Sequence, residues 1–201
     1  MAFCTVPYGY APMTHNNDLN YDWFWFLTWT TYGTFLPGDK RGATGLLHDE
    51  IGAVIQHNQP GQDHIPHSVP LANWSKLQMK GDAVRLTMEQ ARVLLTQFHC
   101  TASFRRWRLL GVAIMNNHLH VGVNVHSDPD PETILRDFKS YGSRALNLQW
   151  GKAPSGARWT ESGSKRKLDS DNSVIAAVRY IIQQQSPLLV WTYEDGMIIP
   201  Q

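Results

Sequence analysis

Two histidines one residue apart, His118 and His120, lie in the run 111–125, which reads Gly-Val-Ala-Ile-Met-Asn-Asn-His-Leu-His-Val-Gly-Val-Asn-Val. The run predicts a β-strand entered through an Asn116-Asn117 turn, and strand side chains alternate faces. His118 and His120 therefore point one way, Leu119 and Val121 the other. Two imidazoles side by side on a rigid strand can hold one divalent ion, although the same spacing fits a chance pair of surface histidines. The next segment carries Tyr141 on the apolar stripe of a predicted helix. That residue is either packed, with its hydroxyl at the edge of the core, or a nucleophile. A phenol attacks poorly at neutral pH unless a base or cation favours the phenolate. A metal on the histidine pair would polarise a phosphoryl oxygen and orient a phosphodiester for in-line attack by Tyr141. The product would be a covalent phosphotyrosine.

The elements that must position these groups follow from hydrophobic periodicity. Residues 23–32, dense in aromatic and β-branched types, predict a central strand, with Trp23, Trp25 and Trp29 read as core. Residues 39–85 lack sustained periodicity and predict a long loop or insertion, and His48, His57, His64 and His67 within it are read as loop histidines. Thr87 and Gln90 form a capping-box pattern that starts a helix running to about residue 104. Two antiparallel strands, 107–115 and 118–125, follow, joined by asparagines that tolerate the positive φ of a tight turn. Asp130-Pro131-Glu132 starts a helix to about 149, with Ile134, Phe138, Tyr141, Ala145 and Leu148 as its apolar stripe. After a loop over 151–170, a last amphipathic helix is expected over 172–185, stopped by Pro187. The order implies an α+β fold, ferredoxin-like (RRM-like), in which an antiparallel sheet carries helices packed on one face and an additional C-terminal helix. One domain over 21–201 is expected, preceded by a flexible arm over 1–20.

With 201 residues the chain is long enough for one proper core, and its formal net charge of +1 excludes nothing. Basic residues nevertheless bunch, at 105–108 and at Lys165, Arg166 and Lys167, and such clusters can bind phosphate. Cys4 and Cys100 match no metal or redox spacing, so a disulfide is not expected and a reducing compartment fits. No stretch is apolar enough to span a bilayer and the first twenty residues show no signal-peptide pattern, so a cytoplasmic location away from membranes is the expectation.

The chain resembles HUH-type single-strand DNA transposases with one catalytic tyrosine, nearest to the REP-associated tyrosine transposase group. The likeness is carried by Leu-Thr-Trp-Thr-Thr-Tyr-Gly-Thr-Phe-Leu-Pro-Gly-Asp at 27–39, Met-Asn-Asn-His-Leu-His-Val at 115–121, Phe-Lys-Ser-Tyr-Gly-Ser-Arg at 138–144, and Trp-Thr-Glu-Ser-Gly-Ser at 159–164 leading into Val-Arg-Tyr-Ile-Ile-Gln at 178–183. His118-Leu119-His120 matches the two histidines and intervening hydrophobic residue of the family's name. The resemblance implies that His118 and His120 hold magnesium or manganese and that Tyr141 attacks a phosphate of single-stranded or hairpin DNA. A 5′-phosphotyrosine and a free 3′-hydroxyl would result, in a bacterial, DNA-associated protein acting as monomer or homodimer. Lys139, Arg144, Arg158, Gly163, Ser164, Lys165, Arg166 and Lys167 are the expected DNA contacts.

One departure concerns the third metal ligand, which many relatives place one turn after the tyrosine, where this chain has Ala145. Two imidazoles alone bind a hard cation weakly. Asp137, one turn before Tyr141 on nearly the same face, and Asn147, rotated well away from it, are the candidate substitutes, and substrate phosphate oxygens or water could also complete the shell. Tyr180 has Gln184 one turn later but is read as packing. Two other readings are a domesticated or inactive nucleic-acid-binding relative that no longer cuts, and a metal phosphoesterase that uses activated water.

Overall fold

The computed structural model of the chain describes residues 22–40, 46–48, 54–56 and 67–198. In chain order the elements are β1 (Trp23–Thr30), β2 (Leu46–His48), β3 (Val54–Gln56), α1 (Val69–Leu77), α2 (Met88–Arg105), β4 (Arg108–Ile114), β5 (His118–Val125), α3 (Pro131–Trp150), β6 (Ser164–Leu168), α4 (Asp171–Ile182), β7 (Leu189–Thr192) and β8 (Gly196–Ile198). Six strands form one antiparallel sheet in the order β6-β1-β5-β4-β7-β8, while β2 and β3 pair separately. The fold is α+β, as expected.

The capping signals act where the sequence places them. Thr87 accepts from the Gln90 amide at 3.3 Å and the Gln90 side chain accepts from the Thr87 amide at 3.1 Å, so two of the four unpaired amides at the start of α2 are satisfied. Arg106 ends that helix in the left-handed conformation, with φ of 55°. Asp130 caps α3.

Alternation along β1 and β5 sends Trp25, Leu27, Trp29, Leu119, Val121, Val123 and Val125 into one apolar core with α2 and α3. Trp29, Phe98 and Phe138 are fully buried there, and Phe98 meets the other two rings edge to face at 5.8 and 5.4 Å. Trp25 and Trp29 are core residues, as their strand implied. The opposite face carries α4, which contacts β4, β5, β6 and β7. A smaller apolar cluster of Ala113, Ile181 and Val190 lies there, with Phe26 against it.

Several features depart from the sequence reading. The insertion holds a hairpin, β2 and β3, and a helix, α1, capped by Ser68. The loop expected over 151–170 contains β6, whose Ser-Lys-Arg-Lys-Leu sequence hides an edge strand because charge is what edges tolerate. α4 stops at Ile182, and β7 and β8 follow. Neither Asn116 nor Asn117 has positive φ. Their turn is instead held from outside, the Asn116 carbonyl accepting from the Leu86 amide at 2.7 Å and the Asn117 carbonyl from the Thr31 amide at 2.9 Å. Cys100 is in a disulfide, contrary to expectation. The expected arm at 1–20, and His57 and His64, lie outside the described residues.

Candidate active site

His118 and His120 share the face of the sheet that α4 covers, with ring centroids 5.0 Å apart. His120 is 4% exposed, and its Nδ1 lies 2.8 Å from the hydroxyl of Thr28, its register partner on β1. When Nδ1–H donates to Thr28, Nε2 keeps its lone pair. That Nε2 is buried and has no hydrogen-bond partner. Burial, and then the neighbouring His118, push the His120 pKa down to about 4, so the ring is neutral at physiological pH. His118 Nδ1 lies 2.7 Å from the Asn117 side-chain oxygen. An amide oxygen only accepts, so Nδ1 carries the proton that makes this contact.

The tyrosine beside these rings is Tyr180. Its ring meets His120 edge to face at 5.2 Å and Phe26 at 5.8 Å, while Phe26 stacks on His120 at 5.5 Å with an 8° tilt. At 51% exposure Tyr180 remains open to a large substrate. The placement has a local cause. Ser170 caps α4 through a reciprocal pair with Ser173, and Ile181, fully buried, seats over Gly111 and Gly122, which face each other across β4 and β5. A methyl group on Gly111 would fall a tight 3.3 Å from the Ile181 side chain, while one on Gly122 would make ordinary contact at 3.5 Å, so the bare backbone at Gly111 lets the helix sit close. Tyr180 adjoins Ile181 on the helix, which sets it beside His120. One turn on, Gln184 donates from its amide nitrogen to the Tyr180 carbonyl at 3.0 Å.

A divalent ion fits this donor set. An unpartnered buried polar atom costs about 1–3 kcal/mol, and His120 Nε2 is such an atom aimed into a site with a second imidazole. Among the described residues, no group of three or more histidine, cysteine, aspartate or glutamate side chains gathers to hold a metal.

The structure does not bring Tyr141 to the histidines. α3 buries Ile134, Leu135, Phe138, Gly142 and Leu146 against the Leu119 face, so the sheet stands between Tyr141 and the imidazoles. Its stripe is rotated from the one expected. Leu148 is 78% exposed, and Tyr141 is half-buried with the Arg144 guanidinium 5.2 Å over its ring. Asp137 lies on the same wrong side and pairs with Arg105 at 2.7 Å. Neither meets the histidine pair in this structure. Sequence reasoning noted Tyr180 and Gln184 and read them as packing, because an apolar stripe does not say which face of a sheet the helix will cover.

The expected DNA contacts divide in the same way. Ser164 and Arg166 pair in register with Thr28 and Phe26, on the histidine side, and both are exposed. Lys165 and Lys167 point to the other side, the first paired with Glu132 and the second 3.9 Å over the Trp23 ring. Lys139 Nζ donates to the carbonyls of Thr160, Glu161 and Ser162 at 2.7, 2.8 and 3.2 Å, and burial pulls its pKa down to about 8. Arg158 is 7% exposed and holds Asn147 and the Gly151 carbonyl, so it stitches the loop to α3. Gly163 is pressed against β1, where an added methyl would fall 2.8 Å from the Thr28 carbonyl. These three residues build the fold. Arg179, exposed beside Tyr180, is a basic residue the sequence reading missed.

No family model matches the chain, and no curated protein matches it. Solved structures do. One is a REP-associated tyrosine transposase bound to a REP hairpin, 12% identical, with a TM-score of 0.45 over 81% of this chain. The chain spans 66% of that protein's length. Another is a transposase candidate from Deinococcus radiodurans, 15% identical, with a TM-score of 0.44 over 87% of this chain and 99% of that one. Among the described residues, no helix is long and apolar enough to cross a membrane.

Proposed function

We propose that the protein is a metal-dependent enzyme of the HUH transposase type that nicks and rejoins single-stranded DNA, with Tyr180 as its nucleophile. The observation that carries this is the Tyr180 ring 5.2 Å from His120, whose buried Nε2 has no partner. His118 and His120 would hold magnesium or manganese, His120 through its unpartnered Nε2, and the Gln184 side-chain oxygen would be a third ligand, the polar group that position 145 does not supply. Such an ion, when bound, neutralises charge on the phosphoryl oxygens.

The rest falls to the chain. Thr28 and Asn117 orient the two imidazoles, and Arg166 and Arg179 are exposed and available to a phosphate backbone. The phenolic oxygen of Tyr180 bonds to phosphorus as its proton leaves to solvent, and the bond from phosphorus to the 3′-oxygen breaks. That oxygen takes a proton to become a 3′-hydroxyl, and the 5′-phosphate stays on Tyr180. A phosphotyrosine is still a phosphodiester, so another 3′-hydroxyl can reverse the attack and join strands without a nucleoside triphosphate. With Tyr180 beside His120 and Gln184 one turn later in the chain, Ala145 no longer favours a non-cutting relative.

The test is a labelled single-stranded oligonucleotide bearing a hairpin, incubated with manganese and run on a denaturing gel. A covalent adduct lost with Tyr180→Phe and with chelator, but kept by Tyr141→Phe, is expected. Cleavage without an adduct would replace this reading with a water-using phosphoesterase.

A further inference from the structure

Resting on that DNA-cutting reading, we propose that a groove beside His118 holds one unpaired nucleobase next to the cut phosphate and reads an amino group on its edge. The groove lies between the turn after β1, α1 and the 157–161 loop, and has a volume of about 510 Å³. Tyr32, Phe35, Met79 and Trp159 form its apolar walls, while Gln78 and Glu161 offer polar atoms. It adjoins the site directly. Phe35 meets the His118 ring edge to face at 6.3 Å. The hydroxyl of Thr160, another lining residue, lies 3.0 Å from that of Thr30, the register partner of His118.

The composition selects the occupant. A single strand needs π-faces for bases and cations for phosphates, and the exposed Lys76 and Lys80 flank the lining residues Gln78 and Met79 in sequence. Tyr32 is fixed beforehand, its hydroxyl accepting from the Lys80 amide at 2.8 Å and its carbonyl from the Val84 amide at 2.9 Å. Gly33, with φ of 72°, keeps the groove open, because a methyl there would fall 2.3 Å from the end of Met79. Glu161 is an acceptor when ionised and favours a base with an exocyclic amino group, such as cytosine, over thymine.

The test uses the full chain carrying Tyr180→Phe, which leaves the strand intact, with fluorescence anisotropy on single-stranded dC and dT 12-mers at fixed salt. The parent binds dC several-fold tighter than dT. Phe35→Leu, which keeps apolar volume but removes the ring, weakens both by about tenfold. Glu161→Gln, on an exposed residue, brings the dC to dT ratio toward one; thermal melting checks that both variants fold. Equal affinities for dC and dT, untouched by either variant, overturn the groove assignment while the Tyr180 adduct on hairpin DNA still stands. Failure to bind any strand, with no adduct from the unmodified chain, overturns both.

Discussion

The two faces of one strand, β5, differ in kind. Leu119, Val121, Val123 and Val125 face a core closed by α2 and α3, and each is fully buried. His118, His120, Gly122 and Asn124 face the other way, under α4 alone among the described helices. The first face also buries two indole nitrogens without partners, Nε1 of Trp25 and of Trp29, but an indole N–H is a donor only and cannot ligate a cation. The second carries a buried nitrogen without a partner and an exposed tyrosine. A site that must bind an ion cannot satisfy all its own polar groups, so its destabilisation has to be offset elsewhere. Here the offset lies a strand's thickness away.

The largest expected effect sharpens this contrast. Tyr180→Phe should cut adduct formation on the order of a thousandfold or more, while its melting temperature stays near that of the parent, since the hydroxyl lies on the open face. Phe138→Ala should do the reverse. It removes a fully buried ring packed on Phe98 and Trp107 and should cost about 3–5 kcal/mol in urea unfolding, with adduct yield per folded molecule preserved in the cold.

Acid should strike the histidine face. The folded His120 pKa of about 4 lies below its ordinary 6.5, so the folded state binds fewer protons between those values. Its contribution to stability is complete above pH 6.5 and is lost as pH falls toward 4, by about 3 kcal/mol in all. His99, against Trp191 on the closed face, is shifted down by burial as well. The measurement is therefore unfolding against pH in chelator on a His99→Gln background, where His120→Gln should remove the remaining slope. Thr28→Val should weaken manganese binding by about 10–100-fold in calorimetric titration, because the His120 ring loses the hydroxyl that orients it. Tyr141→Phe should change adduct yield by less than about twofold, because the sheet separates that tyrosine from the imidazoles, which receive only effects of ordinary surface size. A large loss there would break the two-face picture.

Much of this was legible in the residues. A period of two put His118 and His120 on one side of a strand, the Thr87 and Asp130 signals started α2 and α3 where they start, and the aromatic run at 23–32 became the central strand β1. The short strands β6, β7 and β8 were not legible, because three to five residues hold too few periods to outweigh charge or a nearby proline. Which tyrosine meets the histidines was not legible either. Tyr141 and Tyr180 both sit on amphipathic helices after the histidine strand, and the one local signal that ranks them, Gln184 one turn after Tyr180 against Ala145 after Tyr141, is too short to outweigh the apolar stripe that reads Tyr180 as packing.

By itself the sequence determined the histidine pair, the helices and their caps, because these depend on residues within a few positions of one another. Only the tertiary structure decided which tyrosine meets the pair. That choice rests on which side of the sheet each connection crosses, and on the close seat of Ile181 over Gly111, which sets Tyr180 beside His120. Neighbouring side chains share a helix by covalent geometry, but they share a site only through the packing of distant segments.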